Sequence, residues 1–291
     1  MLSADDAVHR RKGIALVTLA TLLFAVLDAS AKWLVRELPP IEVAWLRFVT
    51  HVVLMAALLA PTQGAALLRV ASVRLQALRA AMLASMTLLN FVALQYLQLA
   101  ETGAIQFSVP ILIALISAAF LGQRLDPWRW AAIVAGFAGV LLVVRPGSAA
   151  FHPAIFLSLL NALIYAAFNL LTRRMAASET PQSMQWFSAL GAAIVLAPFA
   201  IAQWIWPAGA LAWALILLTG LAGGLGHLCV AMAHRHAGAH VLAPFLYQQI
   251  VYMALLGWLV FAQVPDGFVV AGAVVVVASG LYLLWLEVRH R

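Results

Sequence analysis

The feature that most constrains this chain is a succession of long apolar runs, separated by short segments rich in charge, proline or glycine. A helix needs about 20 apolar residues to cross roughly 30 Å of hydrocarbon. Within a bilayer the backbone polar groups must be satisfied inside the protein, and runs of this length do so as helices. We therefore predict an all-α integral membrane protein with ten transmembrane helices. The predicted spans cover residues 13–34, 41–60, 76–97, 102–122, 127–145, 153–173, 181–204, 209–233, 241–261 and 266–287.

The composition excludes a soluble domain and several kinds of chemistry. Of the 291 residues, 65% are hydrophobic and 9% are charged, whereas soluble domains carry about 25% charged residues. The net charge of +7 comes from Lys and Arg scattered at helix ends, so no nucleic-acid partner is expected. Cys229 is the single cysteine, which excludes an intrachain disulfide. We find no nucleotide-binding loop, no activated nucleophile and no metal-ligand cluster, and we predict a non-enzyme without cofactor or metal.

The basic residues predict how the ten spans are oriented, because cytoplasmic loops collect Lys and Arg. With alternating spans, thirteen of the seventeen lie on the side of both termini, and Arg47 lies inside the second span. The other side has Lys32, Arg36 and Arg145. The thirteen are Arg10, Arg11, Lys12, Arg69, Arg74, Arg79, Arg124, Arg129, Arg173, Arg174, Arg235, Arg289 and Arg291. We expect a multi-pass protein of the bacterial inner membrane with both termini in the cytoplasm.

The sequence also repeats itself at an offset of about 140 residues. Residues 24–32 align with residues 165–173, and residues 121–126 align with residues 261–266. Each half contains five predicted spans, and an odd number forces the second half to cross the membrane upside down. We therefore predict two inverted five-helix repeats around a central cavity, with substrate bound near the midplane. The boundary is expected between residues 148 and 149, so the repeats are 1–148 and 149–291.

Several motifs together resemble a known family. They are Lys32 at the end of span one, Pro39-Pro40 and then Arg47 in span two, Pro110 in span four, and Leu-Gly-Gln-Arg-Leu at 121–125. This pattern resembles the EamA-type transporters of the drug/metabolite transporter superfamily, over essentially the whole chain. The ten-span bacterial exporters of amino acids and metabolites, including aromatic amino acids, look closest. The resemblance implies a cavity lined by spans one, three, four, six, eight and nine, with spans five and ten packed outside.

The chain departs from that family pattern at the ends of spans four and nine. The family usually has Glu there, whereas this chain has Gln123 and Gln263. Any acidic function at these positions is either absent or supplied by the nearby Asp126 and Asp266. The resemblance does not fix the substrate.

Asp28 is the only acid well inside a predicted span. A charge at the centre of a span costs about 2.5 to 3.5 kcal/mol on insertion scales, so its presence needs an explanation. Phe24 lies one helical turn earlier on the same face, and the two would line a polar cavity. The alternative is a structural pair between Asp28 and Lys32, four residues apart.

Polar side chains in three further spans are candidates for the same cavity. Span six carries Asn161, Tyr165 and Asn169, the last aligned with Asp28 of the first half. Span three carries Met86 and Asn90, one turn apart, and span eight carries His227 at a similar depth. Like Asp28, His227 is a candidate for substrate binding or for proton coupling. The alternative for His227 is a hydrogen-bonded contact between helices. The glycines before His227 permit either a loosened helix or close packing.

Spans four and nine supply the remaining candidates. Gln106 and Ser108 precede Pro110, whose missing N–H frees a carbonyl one turn earlier. Span nine carries the polar cluster Tyr247, Gln248, Gln249 and Tyr252 in an otherwise apolar helix, and we predict that this cluster touches the cavity. At least Gln248 and Tyr252, one turn apart, are expected to face the interior. The alternative for this pair is hydrogen bonding between helices.

These observations predict a secondary transporter that exports amino acids, aromatic or small neutral, and similar small metabolites by alternating access. An exporter of drugs or of other metabolites with the same fold is the first alternative. A non-transporting membrane subunit or a lipid-modifying enzyme is the alternative of another class. The expected partners are a small-molecule substrate and the lipid bilayer, with the chain a monomer or a homodimer.

Overall fold

The computed structural model describes residues 4–64, 70–120 and 126–289, and the described part of the chain forms twelve helices. They are α1 (Ala4–Leu34), α2 (Pro40–Gln63), α3 (Val73–Tyr96), α4 (Leu99–Gln106), α5 (Val109–Phe120), α6 (Pro127–Val144), α7 (Ile155–Met175), α8 (Pro181–Ala202), α9 (Gly209–His236), α10 (Ala239–Leu246), α11 (Gln248–Phe261) and α12 (Gly267–Arg289). Within these ranges ten spans are long and apolar enough to cross a membrane, which confirms the predicted fold class.

The helix count exceeds the span count because spans four and nine are each broken. Span four consists of α4 and α5, and span nine consists of α10 and α11. The first break lies at Phe107 and Ser108, just before Pro110, which cannot donate the next helical hydrogen bond. The second break lies at Tyr247, three residues after Pro244. Of the two alternatives for the glycines of span eight, the loosened helix is wrong, because α9 is continuous from Gly209 to His236.

The glycines of α9 serve close packing instead. A Cβ atom on Gly223 would lie 3.3 Å from Nε and Nη2 of Arg47, and one on Gly226 would lie 2.7 Å from the ring of Phe24. A Cβ on Gly224 would lie 3.2 Å from the ring of His51. Side chains of α1 and α2 therefore occupy the space that these glycines leave free, which is the packing alternative.

The helices of the two halves interleave. The first helix α1 packs along α9 and α11, and its counterpart α7 packs along α3, α4 and α5. Likewise α2 packs against α8, and α6 packs against α12. The chain thus has an internal repeat of two halves that meet along most of their length.

Spans five and ten form a separate close contact away from the centre. A Cβ atom on Gly139 would lie 2.9 Å from the carbonyl oxygen of Gly272, so the two backbones nearly touch. The hydroxyl of Ser279 donates to the carbonyl oxygen of Ala132 across the same contact. Small residues of span five therefore pack within the chain. On the opposite face of α6, exposed side chains such as Phe137 form an apolar surface suited to lipid.

The structure corrects the predicted place of one basic residue, and three others lie outside the described residues. Arg79, counted with the charges on the terminal side, lies inside span three and is 4% exposed. It donates to Thr172 Oγ1 at 3.0 Å, to the carbonyl oxygen of Met184 at 2.7 Å and to the hydroxyl of Ser188. It is therefore a packing residue rather than a loop charge. The charges Arg69, Arg124 and Arg291, and also Gln123, lie outside the described residues.

Candidate functional site

A cavity of about 170 Å³ lies where the two halves meet. Eight of the twelve residues predicted from the sequence line it, namely Phe24, Asp28, Met86, Asn90, Gln106, Asn161, Tyr165 and His227. The other lining residues are Leu27, Arg47, Leu83, Thr87, Phe91, Thr102, Gly103, Phe107, Phe168, Gln249 and Met253. Polar groups, both signs of charge and several aromatic rings therefore share one cavity, as in sites for small organic ligands.

Asp28 lies on the cavity wall and is 9% exposed. Its Oδ1 accepts a hydrogen bond from Nδ2 of Asn90 at 2.9 Å, which joins span one to span three. Lys32 instead donates from Nζ to the carbonyl oxygens of Leu94 at 2.8 Å and Leu97 at 2.6 Å. The structural alternative for Asp28, a pair with Lys32, is therefore wrong. Lys32 satisfies the end of α3, where the last carbonyls lack helical partners.

Arg47 on α2 faces the same cavity, and the sequence analysis did not include it among the site residues. It is 5% exposed, and its Nη1 donates to Thr87 Oγ1 at 2.8 Å. Its guanidinium lies 4.7 Å from the centre of the Phe48 ring. The signal that could have found it was its position as a lone cation within an apolar span, which is costly for the same reason as Asp28.

His227 lies between this cavity and a second one of about 180 Å³. Its ring meets Phe24 edge-on at 5.0 Å and stacks on His51 at 6.2 Å. His51 is 1% exposed, and neither of its ring nitrogens has a hydrogen-bond partner within the described residues. The second cavity continues from this histidine pair towards Gln182 and Arg235 at the helix ends. His51 is a further residue that the sequence analysis missed.

Spans four and six are joined by a hydrogen bond between two side chains that line the cavity. Asn161 donates from Nδ2 to Oε1 of Gln106 at 3.1 Å, and both side chains line the cavity. Ser108 does not line it, since its hydroxyl donates back to the carbonyl oxygen of Ile105 at 2.7 Å. Asn169 also lies off the wall, where its Nδ2 donates to the carbonyl oxygen of Tyr165 at 2.7 Å.

Span nine presents a different face to the cavity than the sequence predicted. Gln249 and Met253, one turn apart, line the wall. Gln248 and Tyr252 do not, and the Tyr252 hydroxyl donates to Oε1 of Gln248 at 3.3 Å. Gln248 and Tyr252 are therefore not lining residues, although Tyr252 packs against the hydrophobic core. The break at Tyr247 restarts the helix and resets which side faces inward.

The acids that follow the two Gln positions have a structural role. Asp126 accepts from the backbone N–H of Arg129 at 2.9 Å and caps α6. Asp266 accepts from the N–H of Val269 at 3.0 Å and pairs with Arg145 at 2.7 Å. Acidic side chains are favoured at the start of a helix, because the first backbone N–H groups of the helix lack partners within it.

Within the described ranges, no three His, Cys, Asp or Glu side chains meet in an arrangement that could hold a metal ion. The central cavity is lined by hydrogen-bonding, charged and aromatic groups.

The sequence pattern of the EamA-like transporter family matches residues 11–145 and again residues 152–285. The chain belongs to this family. It is an EamA-type transporter of small metabolites and a multi-pass membrane protein, as its sequence motifs indicated.

Three curated EamA relatives show the range of the family. The chain is 28% identical over 274 residues to the pseudopaline exporter CntI of Pseudomonas aeruginosa, covering 94% of this chain and 96% of the relative. It is 27% identical over 183 residues to an S-adenosylmethionine uptake transporter of Rickettsia felis, covering 63% of this chain and 62% of that relative. It is 32% identical over 193 residues to a riboflavin transporter of Rhizobium johnstonii, covering 64% of this chain and 62% of that relative. The last two matches thus span less than two thirds of the relatives.

A solved crystal structure shares the fold of this EamA protein. The two superpose with a TM-score of 0.68 at 22% sequence identity, covering 96% of this chain and 98% of the other. At that identity the likeness concerns the fold alone.

The walls of the cavity agree with the family expectation in all but one span. Spans one, three, four, six, eight and nine each contribute lining residues, and spans five and ten contribute none among those identified. Span two is the addition, because Arg47 reaches the cavity from it.

Proposed function

We propose that this EamA protein is a secondary transporter that exports amino acids, aromatic or small neutral, and similar small metabolites by alternating access. The observation that carries the proposal is the central cavity, where Asp28 and Arg47 lie among aromatic rings at the meeting of the two halves. Charged and amide groups suit the polar part of an amino acid, and Phe24 and Tyr165 suit its side chain.

The relatives support a small polar organic substrate without fixing it. Their names give S-adenosylmethionine, riboflavin and pseudopaline, and they include both uptake and export. Amino-acid export is therefore the finer part of the proposal. The riboflavin relative, at 32% identity, favours another metabolite of this size as the second candidate.

Broken spans beside the cavity support alternating access. Phe107, at the break in span four, lines the cavity, and its ring lies 5.1 Å from the ring of Tyr247, at the break in span nine. The two breaks are therefore neighbours. Since fewer helical hydrogen bonds cross a break, we propose that both spans bend there while the flanking bundles tilt.

Proton coupling is part of the proposal for two residues. Asp28 and His227 are the titratable groups that the sequence analysis assigned to this role, and both line the cavity. His227 also lines the second cavity, so its ring borders two cavities. This position between two cavities supports a role in passing a proton.

The cellular arrangement follows from the charge distribution. We propose the bacterial inner membrane, with both termini in the cytoplasm, because the basic residues of the loops collect on that side. The boundary between residues 148 and 149 stays a prediction, as does the choice between monomer and homodimer.

Flux into proteoliposomes tests the proposal. Purified protein is reconstituted, and labelled phenylalanine, tryptophan, alanine and riboflavin are each added with and without a pH gradient. Saturable flux of an amino acid is expected, with protein-free vesicles as the control. Flux of riboflavin alone would replace the amino-acid proposal with the second candidate, and no flux of any solute would contradict both.

A lipid-facing variant serves as the matched protein control. Phe137 is 57% exposed on α6 and far from the lining residues, so Phe137→Leu should leave flux unchanged. A loss of flux in this variant would show that reconstitution, and not substrate binding, limits the measurement.

A further inference from the structure

We propose that Arg47 and Thr87 bind the carboxylate of the substrate while Asp28 and Asn90 bind its amine, so that the cavity selects the zwitterionic head of an α-amino acid. This inference rests on the proposed transport function and names the chemical class of its substrate.

The guanidinium of Arg47 is the first support, because its donors are largely unused. A guanidinium has five N–H donors, yet the only hydrogen bond of this group in the described residues is the one from Nη1 to Thr87. Nε is buried without a partner. By contrast, Arg79 is buried to the same extent, at 4% against 5% exposed, and donates to three acceptors. Arg47 is therefore an under-satisfied cation on a cavity wall.

The second support is that Asp28 does not neutralise Arg47 directly. The described ion pairs are Arg129 with Asp126 and Arg145 with Asp266, both away from the cavity. Asp28 and Arg47 thus line one cavity without an ion pair between them. Opposite charges that are buried without direct pairing keep part of their desolvation cost. A ligand with a positive and a negative group reduces both costs at once.

The surrounding groups fix which end of the ligand goes where. Asn90 donates to Asp28 and leaves carboxylate acceptor sites free, which suit an ammonium. Thr87 holds the Arg47 guanidinium from one side, and Gly223 leaves room for it on the other, where a Cβ would lie 3.3 Å from Nε. A planar guanidinium held in this way matches a carboxylate with two parallel hydrogen bonds.

Aromatic groups next to the charges accommodate the rest of the ligand. Phe24, Phe91, Phe107, Tyr165 and Phe168 all line the cavity. Their number favours a substrate with an apolar or aromatic side chain over a purely polar one.

Ligands that lack one charge test the inference on the unmodified protein. Binding is measured with purified protein for L-phenylalanine, 2-phenylethylamine, which lacks the carboxylate, and 3-phenylpropionate, which lacks the amine. We expect phenylalanine to bind about 10- to 100-fold more tightly than either analogue, the range for hydrogen bonds to charged groups. Equal binding of the three, or no binding of phenylalanine, would overturn the inference. Flux of riboflavin in the same preparation would still leave the transporter function standing.

Variants then assign each charge to its residue. In Arg47→Gln, the preference for phenylalanine over 2-phenylethylamine should fall to about threefold or less, while the preference over 3-phenylpropionate persists. Arg47→Lys keeps the charge and should retain part of the preference. An unchanged preference in Arg47→Gln would overturn the assignment.

Two further variants cover the case in which Arg47→Gln does not fold. Gly223→Ala keeps the charge but moves the guanidinium, and Thr87→Val removes its hydrogen-bond partner. Both should weaken binding of phenylalanine and 3-phenylpropionate more than that of 2-phenylethylamine. Arg79→Lys is the matched control for a buried arginine outside the cavity, and its binding ratios should equal those of the unmodified protein. Equal weakening of all three probes in Gly223→Ala and Thr87→Val would contradict the proposed carboxylate site.

Discussion

Four of the ionic side chains that are buried within the spans differ in their surroundings, and this difference separates structural charges from candidate binding charges. Lys32 donates to two helix carbonyls and Arg79 to three acceptors, so each completes the packing of neighbouring helices. Asp28 and Arg47 each make one side-chain hydrogen bond and face the cavity. Since an under-satisfied buried charge is costly, its retention on a cavity wall indicates a ligand.

Asp28→Asn is expected to stop transport without unfolding the protein. The amide oxygen of the new side chain can still accept the hydrogen bond from Asn90, so the contact between spans one and three survives. Loss of the negative charge should lower flux of an amino acid by at least about tenfold. Flux in proteoliposomes and thermal unfolding are measured together. Unchanged flux would show that Asp28 neither binds substrate nor carries a proton.

Asp266→Asn is expected to lower thermal stability in a pH-dependent way. The hydrogen bond from the Val269 N–H, together with Arg145, lowers the pKa of Asp266 below its ordinary value of 3.8. A carboxylate with a lowered pKa stabilises the folded state above its unfolded pKa, and that contribution is lost as the pH falls through the folded value. The melting temperature of the variant should therefore lie below that of the unmodified protein at pH 7, and the difference should shrink below about pH 4. A constant difference at all pH values would contradict this role.

At the scale of single helices, packing geometry decides what each small residue or proline does. In α9 the glycines leave space for Phe24 and Arg47 and the helix stays continuous. In spans four and nine, prolines accompany breaks next to the cavity. In α6 and α12, Gly139 and Gly272 let two backbones touch. Similar residues thus provide room for a side chain in one helix, a break in another and a helix contact in a third.

Gly139→Val is expected to destabilise the contact between α6 and α12. The new side chain would overlap Gly272 and Val275, and overpacking of this kind costs about 1 to 3 kcal/mol. Ala135→Val is the matched control, because Ala135 lies on the exposed face of the same helix. Thermal unfolding of both variants in detergent measures the difference. Equal stability of the two variants would show that the Gly139 face of α6 is not closely packed against α12.

At the scale of the whole molecule, the interleaved halves restrict how the protein moves. Since α1 packs on α9 and α11 while α3 packs on α7, the five helices of one half do not form an independent body. Rocking of the two sequence halves as separate rigid bodies is therefore not expected. Groups of helices drawn from both halves are the units that tilt around the cavity in our proposal.

Cysteine labelling is expected to show the proposed orientation of the chain. In a Cys229→Ser background, Ser148→Cys places a thiol in the exposed loop between α6 and α7, and Ser178→Cys places one in the exposed loop between α7 and α8. A membrane-impermeant maleimide added to intact cells should label the first and spare the second until the membrane is opened. The reverse pattern would invert the topology, and labelling of both would contradict the span between them.

The amino-acid sequence alone predicts the ten spans and most of the polar residues around the cavity. Hydrocarbon admits few unpaired polar groups, so polar side chains within apolar runs turn towards the protein interior almost wherever they occur. Asp28, Asn90, Gln106 and Asn161 are predicted in this way, and all four line the cavity. The same reasoning could equally have found Arg47, which was set aside as one charge among seventeen in the topology count.

Which polar groups pair, and which of them line the cavity, depends on how the helices pack in three dimensions. The partner of Asp28 is Asn90, 62 residues away, and not Lys32 on the next turn. The break at Tyr247 turns Gln249 inward in place of Gln248. The stacking of His51 on His227 joins two spans that the sequence does not relate. Helical spacing predicts neighbours within one helix, whereas these contacts depend on the rotation and separation of packed helices, which are set by the whole fold.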